Sequence, residues 1–210
     1  MDVKTHTVIA TVIVGNEPSS SSITPDGKLV YIVNSDENNV SIIDTKTHSV
    51  VATVTVGSNP SFINFTPDGK LAYVLISTDS QQPGNVSVID TKTHGLIATV
   101  QVGEDPDKVL FTPDGKLAYV TNFFDDSVSV IDTKTHSVIA TTLVSGIASD
   151  IDITPDGKIA YVTDLNAESV SVIDIKTHSV IATVPVDISV IGSVTLTPDG
   201  KLAYVVESTT

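Results

Sequence analysis

An internal repeat constrains this chain more than any other feature of its sequence. The string TPDGK occurs five times, in copies 42, 46, 42 and 43 residues apart; they begin at Thr24, Thr66, Thr112, Thr154 and Thr197. A second string, DTKTH or a near copy, also occurs five times and begins at Asp2, Asp44, Asp90, Asp132 and Asp174. Because a fixed period of this length marks a repeat architecture, we expect a row of similar units.

Each repeat has the pattern of four short strands. Its segments are rich in valine, isoleucine and threonine, are bounded by Gly, Pro, Asn and Asp, and show no helical periodicity. In the third copy the pattern predicts strands at 108–112, 117–121, 127–131 and 138–144. Four antiparallel strands in about 42 residues form the blade of a β-propeller, whose repeats typically span about 40–50 residues. The sequence therefore predicts an all-β propeller.

We label the strands of each blade A to D, from the innermost to the outermost. The predicted organisation is one domain over 1–210, with the D strand of a closing blade at 1–15, full blades at about 16–57, 58–103, 104–145 and 146–187, and a partial blade at 188–210. The fifth blade lacks its C strand in this count. Three interpretations are open: the chain is a fragment of a longer propeller, a second chain fills the gap by self-association or strand exchange, or the gap binds a peptide strand.

The segment Tyr119-Val120-Thr121-Asn122, preceded by TPDGK and followed by SVSVIDTKTHSVIATT, carries a family resemblance. It resembles the YVTN-type β-propeller repeat of archaeal and bacterial surface-layer proteins. The tetrapeptide becomes YIVN, YVLI, YVTD and YVVE in the other copies, and the family more often has seven blades than five. The resemblance implies an extracellular or cell-surface protein with a structural or adhesive role.

Charge and composition exclude several classes of function. The chain has 11 lysines, no arginine and 25 carboxylates, a net charge of −14, which opposes binding to nucleic acid or anionic lipid. Apolar runs fall short of the roughly 18 residues of a membrane span, so we expect no membrane insertion. The absence of cysteine excludes disulfides, thiolate metal sites and cysteine nucleophiles.

The charges divide between two ends of the predicted blades. Ten of the eleven lysines and ten aspartates lie in the TPDGK and DTKTH strings, which form the A–B and C–D turns; we call this end the turn face. The B–C loops and D–A connections form the opposite end, the variable face. Lys108 and fifteen carboxylates lie outside the repeated turns and account for the whole net charge. We therefore expect a ligand on the variable face, and a neutral or cationic one.

The five histidines and five tyrosines each occupy one repeat position. The histidines are His6, His48, His94, His136 and His178, and the tyrosines are Tyr31, Tyr73, Tyr119, Tyr161 and Tyr204. A catalytic or metal-bound histidine is usually single or clustered with other ligands. We expect structural roles for both sets, with the tyrosines packed between blades.

Departures from the repeat supply the candidate contact residues. The third B–C loop holds Phe123 and Phe124, followed by Asp125 and Asp126; either one ring caps the end of a blade, or the pair contacts a protein partner or a sugar ring. The second B–C loop, at 77–84, has four extra residues and is expected to project from the variable face.

Two acidic groups are the remaining candidates. Glu104, Asp105 and Asp107 fill a D–A connection and form either a calcium site of hard oxygen ligands or a solvated acidic rim. Asp150 and Asp152 alternate along the fourth A strand, where other repeats have residues of different polarity. A buried or channel-lining carboxylate with a raised pKa fits that position.

These observations favour a noncatalytic cell-surface scaffold that has no cofactor and binds protein or carbohydrate. The alternatives are a propeller enzyme, similar to lactonases or quinoprotein dehydrogenases, and an engineered or amplified repeat without a selected ligand. An enzyme of that kind needs convergent acid, base or metal ligands, usually with histidine or arginine. Since every histidine is assigned to the turn face, we identify no catalytic residue.

Overall fold

The structure, a computed structural model, describes residues 1–78, 82–187 and 191–207. These residues form strands and turns without a helix, so no helix among them is long and apolar enough to cross a membrane. The eighteen strands are β1 (Pro18–Ile23), β2 (Leu29–Asn34), β3 (Asn39–Asp44), β4 (Ser49–Thr55), β5 (Pro60–Phe65), β6 (Leu71–Ile76), β7 (Pro83–Asp90), β8 (Gly95–Glu104), β9 (Pro106–Phe111), β10 (Leu117–Asn122), β11 (Ser127–Asp132), β12 (Ser137–Leu143), β13 (Ala148–Ile153), β14 (Ile159–Asp164), β15 (Ser169–Asp174), β16 (Ser179–Pro185), β17 (Ile191–Leu196) and β18 (Ala203–Glu207).

The strands form consecutive antiparallel sheets, as the repeat predicts. Blades 1 to 4 are the four-stranded sheets β1–β4, β5–β8, β9–β12 and β13–β16, and β17–β18 form a two-stranded sheet. In blade 3 the observed strand ends lie within two residues of the predicted ones. The all-β propeller architecture is confirmed. The A strands β1, β5, β9, β13 and β17 lie next to one another and line the inner side of the array, which we call the central channel.

The hydrophobic core lies between successive blades. One cluster joins Tyr31 and Ile42 of blade 1 to Phe65 and Val74 of blade 2. Equivalent clusters join blade 2 to blade 3 and blade 3 to blade 4. Burial of apolar surface is the dominant favourable contribution to folding. Because that surface is shared across the interfaces, each blade depends on its neighbours for stability.

The tyrosines of the B strands occupy these interfaces. The rings of Tyr31 and Tyr73 are fully buried and contact Phe65 and Phe111 of the next blade edge-to-face, with ring centroids 5.0 Å apart. Edge-to-face aromatic pairs add about 0.5–1.5 kcal/mol beyond the area that they bury. Burial raises the pKa of Tyr31 to about 12.

The TPDGK turns are stabilised by short local contacts. In the first turn the Thr24 hydroxyl donates to the Asp26 carboxylate (2.7 Å), and the Lys28 ammonium lies 2.8 Å from the same carboxylate. The hydrogen bond from Lys28 and, to a smaller extent, that from Thr24 lower the pKa of Asp26 to about 2. The turn aspartates are thus explained by turn structure alone.

One predicted strand does not form. Residues 7–14, the strand-like part of the segment 1–15 expected to hold a D strand, form no strand; segment 1–17 holds a single isolated bridge between Asp2 and Thr7. A strand is stabilised by the hydrogen bonds of a neighbouring strand, and the described residues place no C strand beside this segment. On β18, the tyrosine Tyr204 is correspondingly 60% exposed.

A matched pair of turn glycines separates backbone strain from packing. Gly27 and Gly69 have φ of +72° and +69°, but a Cβ at Gly69 would lie 3.0 Å from Pro25 Cδ, whereas one at Gly27 would meet nothing within 4 Å. Alanine at positive φ costs about 1–2 kcal/mol. We therefore expect Gly69→Ala to lower the free energy of unfolding in urea by more than Gly27→Ala does. Equal losses would contradict a packing role for the Pro25–Gly69 contact.

Candidate functional site

The channel carboxylates of blade 4 bind backbone of the next A strand. Asp150 Oδ2 accepts a hydrogen bond from the Val194 amide (3.1 Å), and Asp152 Oδ2 accepts one from the Leu196 amide (2.7 Å). Burial raises the pKa of Asp150, although the Val194 amide opposes this shift. Both candidate contact residues thus join β13 to β17, which gives them a structural role.

A polar side chain serves the same purpose in blade 2. Asn64, at the repeat position of Asp152, donates from Nδ2 to the Val109 carbonyl oxygen of the next A strand (3.1 Å). Lys108, the lysine outside the repeated turns, places its Nζ 4.7 Å from the centroid of the Phe62 ring. The channel wall between blades 2 and 3 therefore combines an amide bridge and a cation–π contact.

The phenylalanine pair lies on the variable face, and its two rings differ in exposure. Phe124 is 54% exposed, whereas Phe123 is partly buried; their ring centroids are 5.1 Å apart, edge-to-face. The Phe123 amide donates to the Asp105 carbonyl oxygen (3.0 Å), which ties this loop to the preceding D–A connection. One ring of the pair is thus partly buried and the other exposed, and contact of the pair with a partner stays a prediction.

The two aspartates that follow contribute to loop structure. Asp125 Oδ2 accepts a hydrogen bond from the Glu104 amide (2.8 Å), and a Cβ at Gly103 would clash with that same oxygen. Asp126 adopts a φ of 48°, and its carbonyl oxygen accepts from the Val144 amide (2.9 Å). Glycine at position 103 therefore allows the close approach of loop and connection.

The calcium candidates do not converge. Glu104 ends β8, Asp105 lies in the connection with a φ of 49°, and Asp107 is the second residue of β9. Across residues 1–78, 82–187 and 191–207, no three or more His, Asp or Glu side chains are grouped so that they could hold a metal ion. Burial raises the pKa of Asp107, with Lys108 opposing the shift.

A cavity lies between blades 2 and 3 at the variable face. It has a volume of about 260 Å³ and is lined by Ser61, Ser77, Asp105, Pro106, Asp107 and Phe123. The cavity thus brings together one of the predicted aromatic residues and two of the predicted acidic ones. A larger cavity of about 670 Å³ lies beside the loop at 77–84, of which residues 79–81 are outside the described residues.

Three of the histidines bind tyrosines of the preceding blade. The hydroxyls of Tyr31, Tyr73 and Tyr119 form hydrogen bonds with Nδ1 of His94 (3.1 Å), His136 (3.4 Å) and His178 (2.9 Å), respectively. All five histidines adopt φ of 51–56°, a left-handed conformation that histidine tolerates better than most residues. Turn geometry and blade coupling together explain why histidine recurs at one repeat position.

Sequence reasoning missed a fully buried carboxylate, that of Asp164. Asp164 is fully buried where blades 1 and 3 have asparagine; its Oδ2 accepts from the hydroxyls of Ser169 (3.0 Å) and Ser171 (2.7 Å), and its Oδ1 has no partner among the described residues. Burial raises its pKa, and the serine hydroxyls oppose the shift. The available signal was the change from YVTN to YVTD in the fourth copy.

Comparisons with known proteins support the propeller architecture. The family model described as "Cytochrome D1 heme domain" matches residues 1–109 and 26–160. A functionally unknown protein from Desulfotomaculum acetoxidans DSM 771 has a TM-score of 0.77 and 20% identity; the match covers 92% of this chain and 64% of that one. The β-propeller domain of Myceliophteria thermophila Cps50 (Swd1) has a TM-score of 0.76 and 15% identity, with 92% and 63% covered.

A third solved structure, hydrazine synthase of Kuenenia stuttgartiensis, has a TM-score of 0.58 and 20% identity, with 99% of this chain and 88% of that one covered. At these identities the likenesses show the fold alone. The chain spans less than two thirds of the first of these structures. No curated protein sequence matches the chain.

Replacing Asp164 with asparagine should stabilise the protein at neutral pH. Asn122, at the same position in blade 3, donates from Nδ2 to Ser127 (3.0 Å) and Ser129 (2.9 Å), so the amide satisfies the serine pair without a charge. Because folding raises the pKa of Asp164, the folded state binds its proton more tightly. The cost of burying the charged carboxylate is therefore absent below a pH of about 3.9, the pKa of aspartate in the unfolded state. This cost grows as the pH rises toward the pKa of Asp164 in the folded state.

We therefore expect Asp164→Asn to raise the free energy of unfolding by about 1–3 kcal/mol at pH 7, with the gain vanishing near pH 4. Urea unfolding over this pH range is the measurement. The reciprocal variant Asn122→Asp should lose stability at pH 7 and recover it in acid. A gain from Asp164→Asn that is independent of pH would show that the charge is not the cause.

Proposed function

The chain belongs to the cytochrome D1 heme domain family. From its side chains, we propose that it is a noncatalytic β-propeller scaffold that binds a partner on its variable face. The observation that carries the proposal is the exposed Phe124 ring, which lies beside Phe123 at the edge of the acidic cavity between blades 2 and 3. Exposed aromatic rings are enriched where proteins contact partners. The turn face is built from repeated local contacts that need no ligand.

The residues of the channel do not fit a heme. Heme iron in proteins is held by histidine, cysteine, methionine or tyrosine. The described A strands, which line the channel, carry none of these residues. The chain has no cysteine, and its one methionine is Met1. The histidines belong to the turn face, so we derive no reaction step through a heme.

The alternative function is that of a heme-binding or other propeller enzyme. The family match favours this alternative, because the matching family is described as a heme domain. The side chains favour the scaffold, because the carboxylates Asp150 and Asp152 are engaged with backbone amides rather than grouped as a catalytic set.

The partner that we propose is a protein or a carbohydrate, neutral or cationic, at the cell surface. The net charge of −14 supports the charge preference, and the likeness to the YVTN-type surface-layer repeat supports the location. Strand addition beside β18 stays a further proposal, and it is not required for binding at the Phe123–Phe124 pair.

The test uses ¹⁵N-labelled protein titrated with maltotriose, as a neutral sugar, and with pentalysine, as a cationic peptide. We expect amide shifts from at least one probe at residues 103–107 and 123–126, and none in the TPDGK and DTKTH turns. Phe124→Ala should weaken the binding without lowering the melting temperature, because the ring is exposed. Lys134→Gln, on the turn face, is the matched control and should leave the binding unchanged.

Two results would contradict the proposal. One is the absence of shifts on the variable face with both probes, or shifts confined to the turn face. The other is stoichiometric binding of added hemin with the absorption spectrum of an axially ligated iron. That spectrum would support the heme alternative instead.

A further inference from the structure

We propose that the cavity between blades 2 and 3 binds an organic cation, namely the ammonium or guanidinium head group of a small amine or of a lysine or arginine side chain. The inference rests on the proposed function, since it places the ligand on the variable face and names its chemistry. The walls of the cavity are Ser61, Ser77, Asp105, Pro106, Asp107 and Phe123. Two of them, Asp107 and Phe123, replace the serines that blades 1 and 2 have at the same repeat positions.

Blade 1 shows how the repeat closes the same position without a cavity. The Ser35 hydroxyl lies within hydrogen-bond distance of Ser19 Oγ (2.6 Å) and of the Pro60 carbonyl oxygen (2.7 Å) in the next blade. These three residues correspond to Ser77, Ser61 and Pro106 one blade further on. A pair of serines and a carbonyl group is therefore enough to close the interface.

The equivalent contacts are missing between blades 2 and 3. Ser61 Oγ is buried and has no hydrogen-bond partner among the described residues. The hydroxyl at this position is satisfied in blade 1, and in blade 4 by the contact of Ser149 with Thr163 (2.9 Å). A buried polar atom without a partner is rare in proteins and calls for an explanation. A ligand donor in the cavity supplies one.

Two of the departures introduce groups that attract a cation. Asp107 stands where blades 1 and 4 have Ser19 and Ser149, and Phe123 stands where blade 1 has Ser35. Blade 3 thus has a carboxylate and an aromatic ring at two repeat positions where blades 1 and 2 have hydroxyls. Carboxylates pair with ammonium and guanidinium groups, and the face of an aromatic ring attracts the same cations.

Among the described residues, no lysine forms an ion pair inside this cavity. The ion pairs of the described residues join lysine and aspartate of the same TPDGK turn, on the opposite face. The neighbouring Lys108 places its ammonium against Phe62 in the channel. Burial raises the pKa of Asp107 and the charge of Lys108 opposes this shift, but the two side chains form no ion pair. The carboxylates of Asp105 and Asp107 therefore line the cavity without an ion-pair partner in the described part of the chain.

The size and chemistry of the cavity restrict the ligand. A volume of about 260 Å³ is below the usual range of about 300–1,000 Å³ for drug-sized ligands, but it holds a head group that replaces several waters of about 30 Å³ each. A metal ion is disfavoured because no group of three acidic or histidine ligands converges among the described residues. An organic cation can contact the Phe123 ring, the carboxylates of Asp105 and Asp107, and the Ser61 hydroxyl at the same time.

The experiment compares argininamide with citrullinamide, a neutral analogue of nearly the same shape, by isothermal titration and ¹⁵N shifts at about 150 mM salt. We expect argininamide, but not citrullinamide, to shift the amides of Ser61, Asp107 and Phe123. Asp107→Asn should weaken the binding at least about fivefold. Phe123→Ser, which installs the residue of blade 1, should weaken it similarly and provides a second variant should the first fail to fold.

The matched control is Asp36→Asn, which removes one exposed carboxylate of the same face outside the cavity. It should change the affinity less than twofold. Equal effects of Asp36→Asn and Asp107→Asn would show non-specific attraction to an acidic surface and would overturn the inference, as would equal binding of citrullinamide.

The two sources of the head group are distinguished by a peptide with a single central arginine. Binding tighter than that of argininamide indicates a protein partner, and equal or weaker binding indicates a small amine.

Failure of this inference and failure of the proposed function are distinguishable. Argininamide that does not bind, together with maltotriose shifts on the variable face, would overturn the cation site and leave the scaffold function standing. Hemin coordination together with argininamide binding in the cavity would overturn the noncatalytic scaffold function and leave the cation site standing.

Discussion

Packing between successive blades is the interaction on which the rest of the structure depends. In the described residues the apolar side chains of one sheet are buried against the next, and Tyr31, Tyr73 and Tyr119 each contact the following blade. The Tyr119–His178 hydrogen bond and the edge-to-face contact of Tyr31 with Phe65 connect neighbours in the same direction. Stability is therefore set by nearest-neighbour interfaces, as in other repeat architectures.

The repeat also separates structural residues from functional candidates. A side chain that recurs in every copy, such as Asp26 in its turn, is accounted for by local hydrogen bonds and needs no ligand. The blade interfaces are alike enough for one to serve as the reference for another. Against that reference, the residue types of Asp107 and Phe123 and the missing hydrogen-bond partner of Ser61 distinguish one cavity of the variable face. Function is inferred from this difference, since the fold is shared by proteins of many activities.

The fold was predictable from the sequence because strand period, turn strings and repeat spacing agree with one another. Strand pairing beyond the repeat was less predictable. Residues 7–14 have the composition of a strand, but a strand forms only beside a partner strand, and the presence of that partner depends on tertiary structure. The candidate site was predictable in part. Phe123 and Asp107 departed visibly from the repeat, yet their convergence with Ser61 across a blade interface depends on packing. The burial of Asp164 and the backbone contacts of Asp150 likewise required coordinates.

Amide hydrogen exchange, read strand by strand, tests most directly whether the blade interfaces hold the protein together. If they do, the slowest exchange is expected in the B strands β6 and β10, each of which is buried between two neighbouring blades, and much faster exchange in β18, whose Tyr204 is largely exposed. Protection that is uniform from β1 to β18, or greatest in β18, would contradict the account. It would mean that each sheet is stable without its neighbours.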